Sequence, residues 1–206
     1  MSKGTVKRPV AKKKAPPMEM PVVSFAETEE WSAWLASRHR SSSGVWVKIA
    51  KKVSGQASIT YAEALEVALA WGWIDGQKRT FDEAWWLQKF TPRGSRSMWS
   101  KINREKATAL IAAGRMMPSG LAEVERAKKD GRWDRAYESQ SRASVPEDLE
   151  MALAKSPRAK KFFATLDSRN RYGVLFRIQH AKKAETRARR IAQFVEMLAK
   201  GEKLHP

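Results

Sequence analysis

Residues 71–103 hold five of the chain's nine tryptophans, interleaved with six Lys or Arg residues and with Gly72, Gly76 and Gly94. Tryptophan is large and seldom left wet, so five in so short a stretch must be buried, stacked or set around a cationic pocket or rim. The hydrophobic period also changes here. Ser58 or Thr60 can cap a largely buried helix that runs to about Trp71, where Gly72 breaks it. Two alternating segments follow, roughly 72–80 and 84–91, separated by Thr80-Phe81-Asp82-Glu83 and matched as an antiparallel pair.

Upstream, Val45 to Lys52 alternates as a strand. Thr28 stands where it can cap a helix with Glu29 and Glu30 in its first turn and Trp31, Trp34 and Leu35 on one face. Three strands with helices against them make a small α+β unit. From Ser97 onward the pattern is helical, with candidate helices over 98–113, 118–130, 146–154, 157–167, 170–181 and 184–199. The predicted class is α+β: a small antiparallel sheet with helices, followed by an all-helical C-terminal region. The expected division is a disordered basic arm over 1–22, a Trp-rich α+β domain over 23–135 and a helical domain over 145–206.

Charge narrows the partners. The net charge is +18, and because the first 20 residues carry six cations and one acid, the rest keeps +13. Such a field favours an anionic small molecule, an acidic partner or nucleic acid. The absence of cysteine excludes disulfides and thiolate chemistry. His39, His180 and His205 are widely spaced, so neither a metal nor a cofactor is expected. The N-terminus lacks the apolar core of a secretory signal. The longest apolar run, Ala64 to Ile74, is interrupted by Glu66 and is about half the roughly 20 residues of a transmembrane helix. The expected location is the cytoplasm.

Arg93-Gly94-Ser95-Arg96-Ser97 leads into a helix that Ser97 can cap, with Trp99 and Asn103 on the following turns. Arginines beside a helix N-terminus suit phosphate, sulfate or carboxylate, and Trp99 can stack on a base or sugar. The alternative is a capped helix with surface arginines and a core tryptophan. Asp75, wedged between Trp73 and Gly76 and followed by Lys78 and Arg79, is either a ligand acceptor or general base, or a structural partner of a nearby arginine. Asp75, Lys78, Arg93, Arg96, Ser97, Trp99 and Asn103 are therefore the candidate ligand-binding set, with no catalytic residue assigned. Arg132-Trp133-Asp134 can form an Arg–Trp stack clamped by an acid.

A second candidate surface binds nucleic acid non-specifically through Lys12, Lys13, Lys14, Lys182, Lys183, Arg187 and Arg190, whose ordinary role would be a solvated basic face. A third possibility is an enzyme on a phosphorylated or nucleotide-like substrate with Asp75 as base.

Several ordered motifs resemble the YdeI/OmpD-associated family of bacterial proteins. They are Trp71-Gly72-Trp73-Ile74-Asp75-Gly76, Phe90-Thr91-Pro92-Arg93, Ser97-Met98-Trp99-Ser100-Lys101-Ile102-Asn103, Gly114-Arg115-Met116 and Ala127-Lys128-Lys129-Asp130-Gly131-Arg132-Trp133. A closing block runs from Ala181 to Ile191. The resemblance implies a stress- or resistance-associated protein, labelled bacteriocin protection in some members. It also implies association with an envelope protein, and supplies no catalytic residue.

Overall fold

The computed structural model describes residues 20–139, 142–181 and 183–206. Lys12, Lys13, Lys14 and Lys182 lie outside these residues. The N-terminal half alternates strands and helices: β1 (Val22–Ser24), α1 (Thr28–Arg38), β2 (Val45–Ala50), α2 (Tyr61–Ala70), β3 (Trp73–Thr80) and β4 (Trp85–Pro92). Helices follow: α3 (Lys101–Ala112), α4 (Pro118–Lys129), α5 (Glu147–Ala154), α6 (Pro157–Ala164), α7 (Ser168–Gln179) and α8 (Ala184–Ala199). The class is α+β. The strands form one sheet in the order β1-β2-β4-β3, antiparallel except for β1, which runs parallel to β2. The parallel edge strand was not anticipated, because three residues beside Pro21 carry no readable period.

Local chemistry explains the element ends. Thr60 caps α2 by accepting the Glu63 N–H at 3.3 Å, while the Glu63 carboxylate accepts the Thr60 N–H at 2.7 Å. Gly72 terminates that helix in the left-handed region, with φ +76°, and a Cβ there would come within 2.9 Å of the Ser119 carbonyl oxygen. Thr28 is not the cap of α1: Glu27 holds that position without a side-chain bond, and Thr28 is the first helical residue. Between β3 and β4 the Asp82 carboxylate accepts the N–H groups of Ala84 and Trp85, each at 2.8 Å, which sets the turn.

The hairpin register slips by one residue between Asp75 and Lys78. The buried Gln88 amide fills this bulge, donating to the carbonyls of Gly76 at 3.0 Å and Gln77 at 3.3 Å.

Buried apolar residues gather in two clusters. In the first, Val45, Val47, Ile49 and Phe90 meet residues of α1 to α4. Trp31 lies at its centre, with ring centroids 5.2 Å from Phe25, 5.3 Å from Trp34 and 5.7 Å from Phe90, and its indole N–H donates to the Ala64 carbonyl at 3.0 Å. The second cluster unites Leu149, Leu153, Phe163, Val174, Ile178 and Leu198 from α5 to α8. The clusters meet around residues 137–138. Tyr137 lies edge-on to Phe176 at 5.3 Å, the Tyr172 hydroxyl donates to the Glu138 carbonyl at 3.0 Å, and Lys101 pairs with the Glu138 carboxylate.

Gly120 on α4 allows the closest approach in the first cluster. A Cβ there would stand 2.2 Å from the Ala70 carbonyl oxygen, which already accepts the Met117 N–H at 3.0 Å. Gly120→Ala should therefore force α4 away from α2 and destabilise the protein by about 1–3 kcal/mol. Denaturant unfolding checks this; an unchanged midpoint would show that the helices give way freely.

Candidate functional site

Arg93 follows the last residue of β4 and turns back into the protein. Its N–H donates to the Gly72 carbonyl at 3.0 Å, tying the strand end to the glycine that closes α2. Its side chain is only 5% exposed, and the guanidinium lies over the Trp99 ring at 3.6 Å. One nitrogen, Nη1, donates to the Met98 carbonyl at 3.3 Å. Among the described residues, Nε and Nη2 are buried and have no partner, and the same holds for the indole N–H of Trp99. Nε and Nη2 share one edge of the guanidinium, the edge that grips two oxygens of a carboxylate or phosphate in parallel.

Two further arginines lie near Arg93. Arg132, also buried, donates from Nε to both Asp130 oxygens at 2.9 and 2.8 Å and from Nη1 to the Ser97 carbonyl at 2.6 Å. Its Nη2 has no partner among the described residues. Arg126 pairs with Glu123 and reaches the Arg93 carbonyl at 3.4 Å, and its buried Nε has no partner among the described residues.

Burial pulls the Arg93 guanidinium down to about 10; the charges of Asp75 and Glu123 oppose that fall, and Arg132 adds to it. Burial likewise pushes the Glu123 carboxyl above its usual range despite Arg126, Arg93 and Arg132. The Tyr137 hydroxyl is raised first by burial and then by Asp75. Among the described residues, Arg93 alone of the three arginines has no carboxylate in direct contact.

Asp75 sits on β3 opposite Phe90 and accepts a hydrogen bond from the Tyr61 hydroxyl at 2.9 Å. Burial, followed by the Asp75 charge, raises the Tyr61 hydroxyl well above the ordinary tyrosine range. Lys78 is exposed and lies over the Trp86 ring at 4.2 Å, away from the Arg93 edge.

Ser97 does not cap α3. Its hydroxyl accepts the Gly94 N–H at 3.0 Å and closes a tight turn, while Ser100 caps the helix by accepting the Asn103 N–H at 3.1 Å. Asn103 is buried on α3 and Arg96 is exposed on the turn. The structure thus brings Arg93, Trp99 and the Ser97 carbonyl together, with Asp75 acting through its field.

Arg132, Arg126, Glu123 and Tyr137 were not in the candidate set. Glu123 and Arg126 sit at ordinary helical spacing in α4, which carried no signal. Arg132 was visible beside Trp133 and Asp134, but Asp130 clamps it instead, and Trp133 meets Trp99 edge-on at 4.9 Å.

On the helical side, Arg187 grips Asp148 through two bonds at 2.5 and 2.9 Å and also donates to the Ile178 carbonyl at 3.1 Å. Arg190 donates to the Arg177 carbonyl, and Lys183 is exposed. Among the described residues no helix is long and apolar enough to cross a membrane.

Residues 142–201 match the family model described as bacteriocin-protection, YdeI or OmpD-associated. Residues 23–123 match a domain of unknown function (DUF8412). No curated protein matches the chain, and no solved structure does.

The Arg187 bond holds the Asp148 carboxyl below its ordinary value of 3.8. An acid depressed in the folded state contributes stability above its unfolded pKa and loses it as pH falls through the lower folded value. Thermal melts of the native protein and Asp148→Asn should therefore differ at neutral pH and converge in acid below about pH 4. A gap independent of pH would mean that packing, rather than the charge pair, provides the stabilisation.

Proposed function

We propose that this chain, with its OmpD-associated C-terminal match, works by binding an anionic ligand at the Arg93 edge. The observation that supports it is a buried guanidinium stacked on Trp99, with two adjacent N–H groups that have no partner among the described residues. A desolvated cation lacking a carboxylate partner is costly, and an incoming anion of two or more oxygens relieves that cost. The unpartnered Nη2 of Arg132 and N–H of Trp99 would supply further donors to the same ligand, and the indole ring would back a planar one. Asp75 and Glu123 would set selectivity by repelling ligands whose charge extends beyond the donor edge. In this reading a stress or resistance role rests on holding the anion.

Direct titration tests it, with phosphate, pyrophosphate, sulfate and acetate followed by tryptophan fluorescence and calorimetry. One oxyanion should bind and change Trp99 emission. Arg93→Lys keeps the charge but removes the fork, so its affinity should fall at least about ten-fold. Melts without ligand separate this loss from unfolding. Failure of every oxyanion to bind, or unchanged affinity in folded Arg93→Lys, would overturn the proposal.

A further inference from the structure

The four-stranded sheet is covered by helices on one face. The buried residues of α1 and α2 all join the cluster beneath Val45, Val47 and Ile49, whereas Trp46 and Leu87, on the other face, are buried outside that cluster. Strand register fixes what shares this second face. Trp46 stands opposite Lys89, Lys48 opposite Leu87, Ala50 opposite Trp85, and Arg79 opposite Leu87 from the far side. In place of a helix, long cationic side chains lie across the rings. Lys48 Nζ is 4.6 Å from the centroids of both Phe81 and Trp85, the Arg79 guanidinium is 4.5 Å from Trp46, and Lys89 Nζ is 6.0 Å from Trp46.

Among the described residues none of Lys48, Arg79 and Lys89 forms an ion pair. The nearest acids in sequence, Asp82 and Glu83, occupy the hairpin turn at the rim, where the Asp82 carboxylate already accepts two backbone N–H groups. The face therefore presents three uncompensated cations interleaved with flat plates: Trp85, the exposed Arg79 guanidinium, and Phe81, which is 49% exposed.

We propose that this open sheet face binds single-stranded nucleic acid. Two chemical demands coincide in that ligand. Unpaired bases offer π-faces to Phe81, Trp85 and the Arg79 plane, and the backbone offers phosphates to Lys48 and Lys89. A duplex hides its base faces and satisfies only the second demand. Three strands at about 4.8 Å spacing give a platform roughly 10 Å wide, enough for two or three stacked bases. The bulge matters here, since Gly76 lies against Lys89 without a side chain of its own and leaves that lysine uncovered on the β3 side. This face is separate from Arg93, which follows the last residue of β4 and is buried.

The test is fluorescence anisotropy of the full chain with a labelled 12-nucleotide oligo-uridine, oligo-thymidine and a duplex of equal length, at two salt concentrations. Single strands should bind more tightly than duplex. Trp85→Leu should weaken single-strand binding about ten-fold or more. Lys48→Gln with Lys89→Gln should lower the log–log salt slope by about 1.4, given roughly 0.7 per phosphate neutralised. Arg79→Gln, at an exposed position, gives the same direction of loss should Trp85→Leu fail to fold. Arg93→Lys should leave all of this unchanged, so the two sites succeed or fail independently. Equal affinity for duplex, or folded variants of the face that bind single strands like the native protein, would overturn the proposal. Capture by anionic phospholipid vesicles without oligonucleotide binding would overturn it too, assigning the face to a membrane surface.

Discussion

The N-terminal half depends on one indole. Trp31 is fully buried, yet it carries a polar N–H that would cost free energy if left without an acceptor. The Ala64 carbonyl, in the first turn of α2, accepts that hydrogen bond from a position set by the Thr60–Glu63 capping box. The start of α2, the tilt of α1 and the ring contacts to Phe25, Trp34 and Phe90 are thereby specified together. Truncating such a residue removes packing worth about 3–5 kcal/mol. Trp73 lies edge-on to both Trp31 and Trp34, which carries the constraint into β3 and on to Gly72 and Arg93.

Seen from that anchor, the tryptophans serve three different purposes. Trp31 and Trp73 are core. Trp99 is core on one side and a seat for Arg93 on the other, so a cation is carried inward on an aromatic face instead of by a carboxylate. Trp46 and Trp85 face outward and are roofed by cations whose aliphatic stems shield them from water. A strongly basic chain can keep apolar rings on an open sheet in this way without inviting sheet-to-sheet association, since like charges lie close to these rings.

Much of the fold was readable from period and punctuation. Gly72, the Asp82 turn and the alternation on either side of it gave β3 and β4, and the C-terminal helices followed from apolar spacing bounded by Gly and Pro. The edge strand Val22–Ser24 was not, since its pairing with β2 is a long-range choice that three residues cannot signal. The site was legible in part. Arg93 and Trp99 stood out by composition, but the cap moved from Ser97 to Ser100 because the Ser97 hydroxyl is used by Gly94. Arg126 and Glu123 were invisible because what matters about them is their place beside Arg93, which helical spacing does not report. The same holds for Arg187, whose place in a basic run concealed a partner 39 residues away in Asp148.

The bulge between Asp75 and Lys78 is a parity switch for the whole of β3. Three residues on β3 span two on β4, so every side chain after the bulge is turned to the opposite face from the one simple alternation would assign. Asp75 stays with the helix-covered side, whereas Arg79 reaches the open side and Lys78 is left over Trp86. Gln88 holds this parity by occupying both displaced carbonyls from below. One strand can therefore serve a buried charge cluster at one end and a cationic outer surface at the other. A single-residue deletion at Gln77 would therefore restore plain alternation from Asp75 onward and still leave Lys78 opposite Gln88 and Arg79 opposite Leu87, because the bulge adds a residue without altering the pairing beyond it.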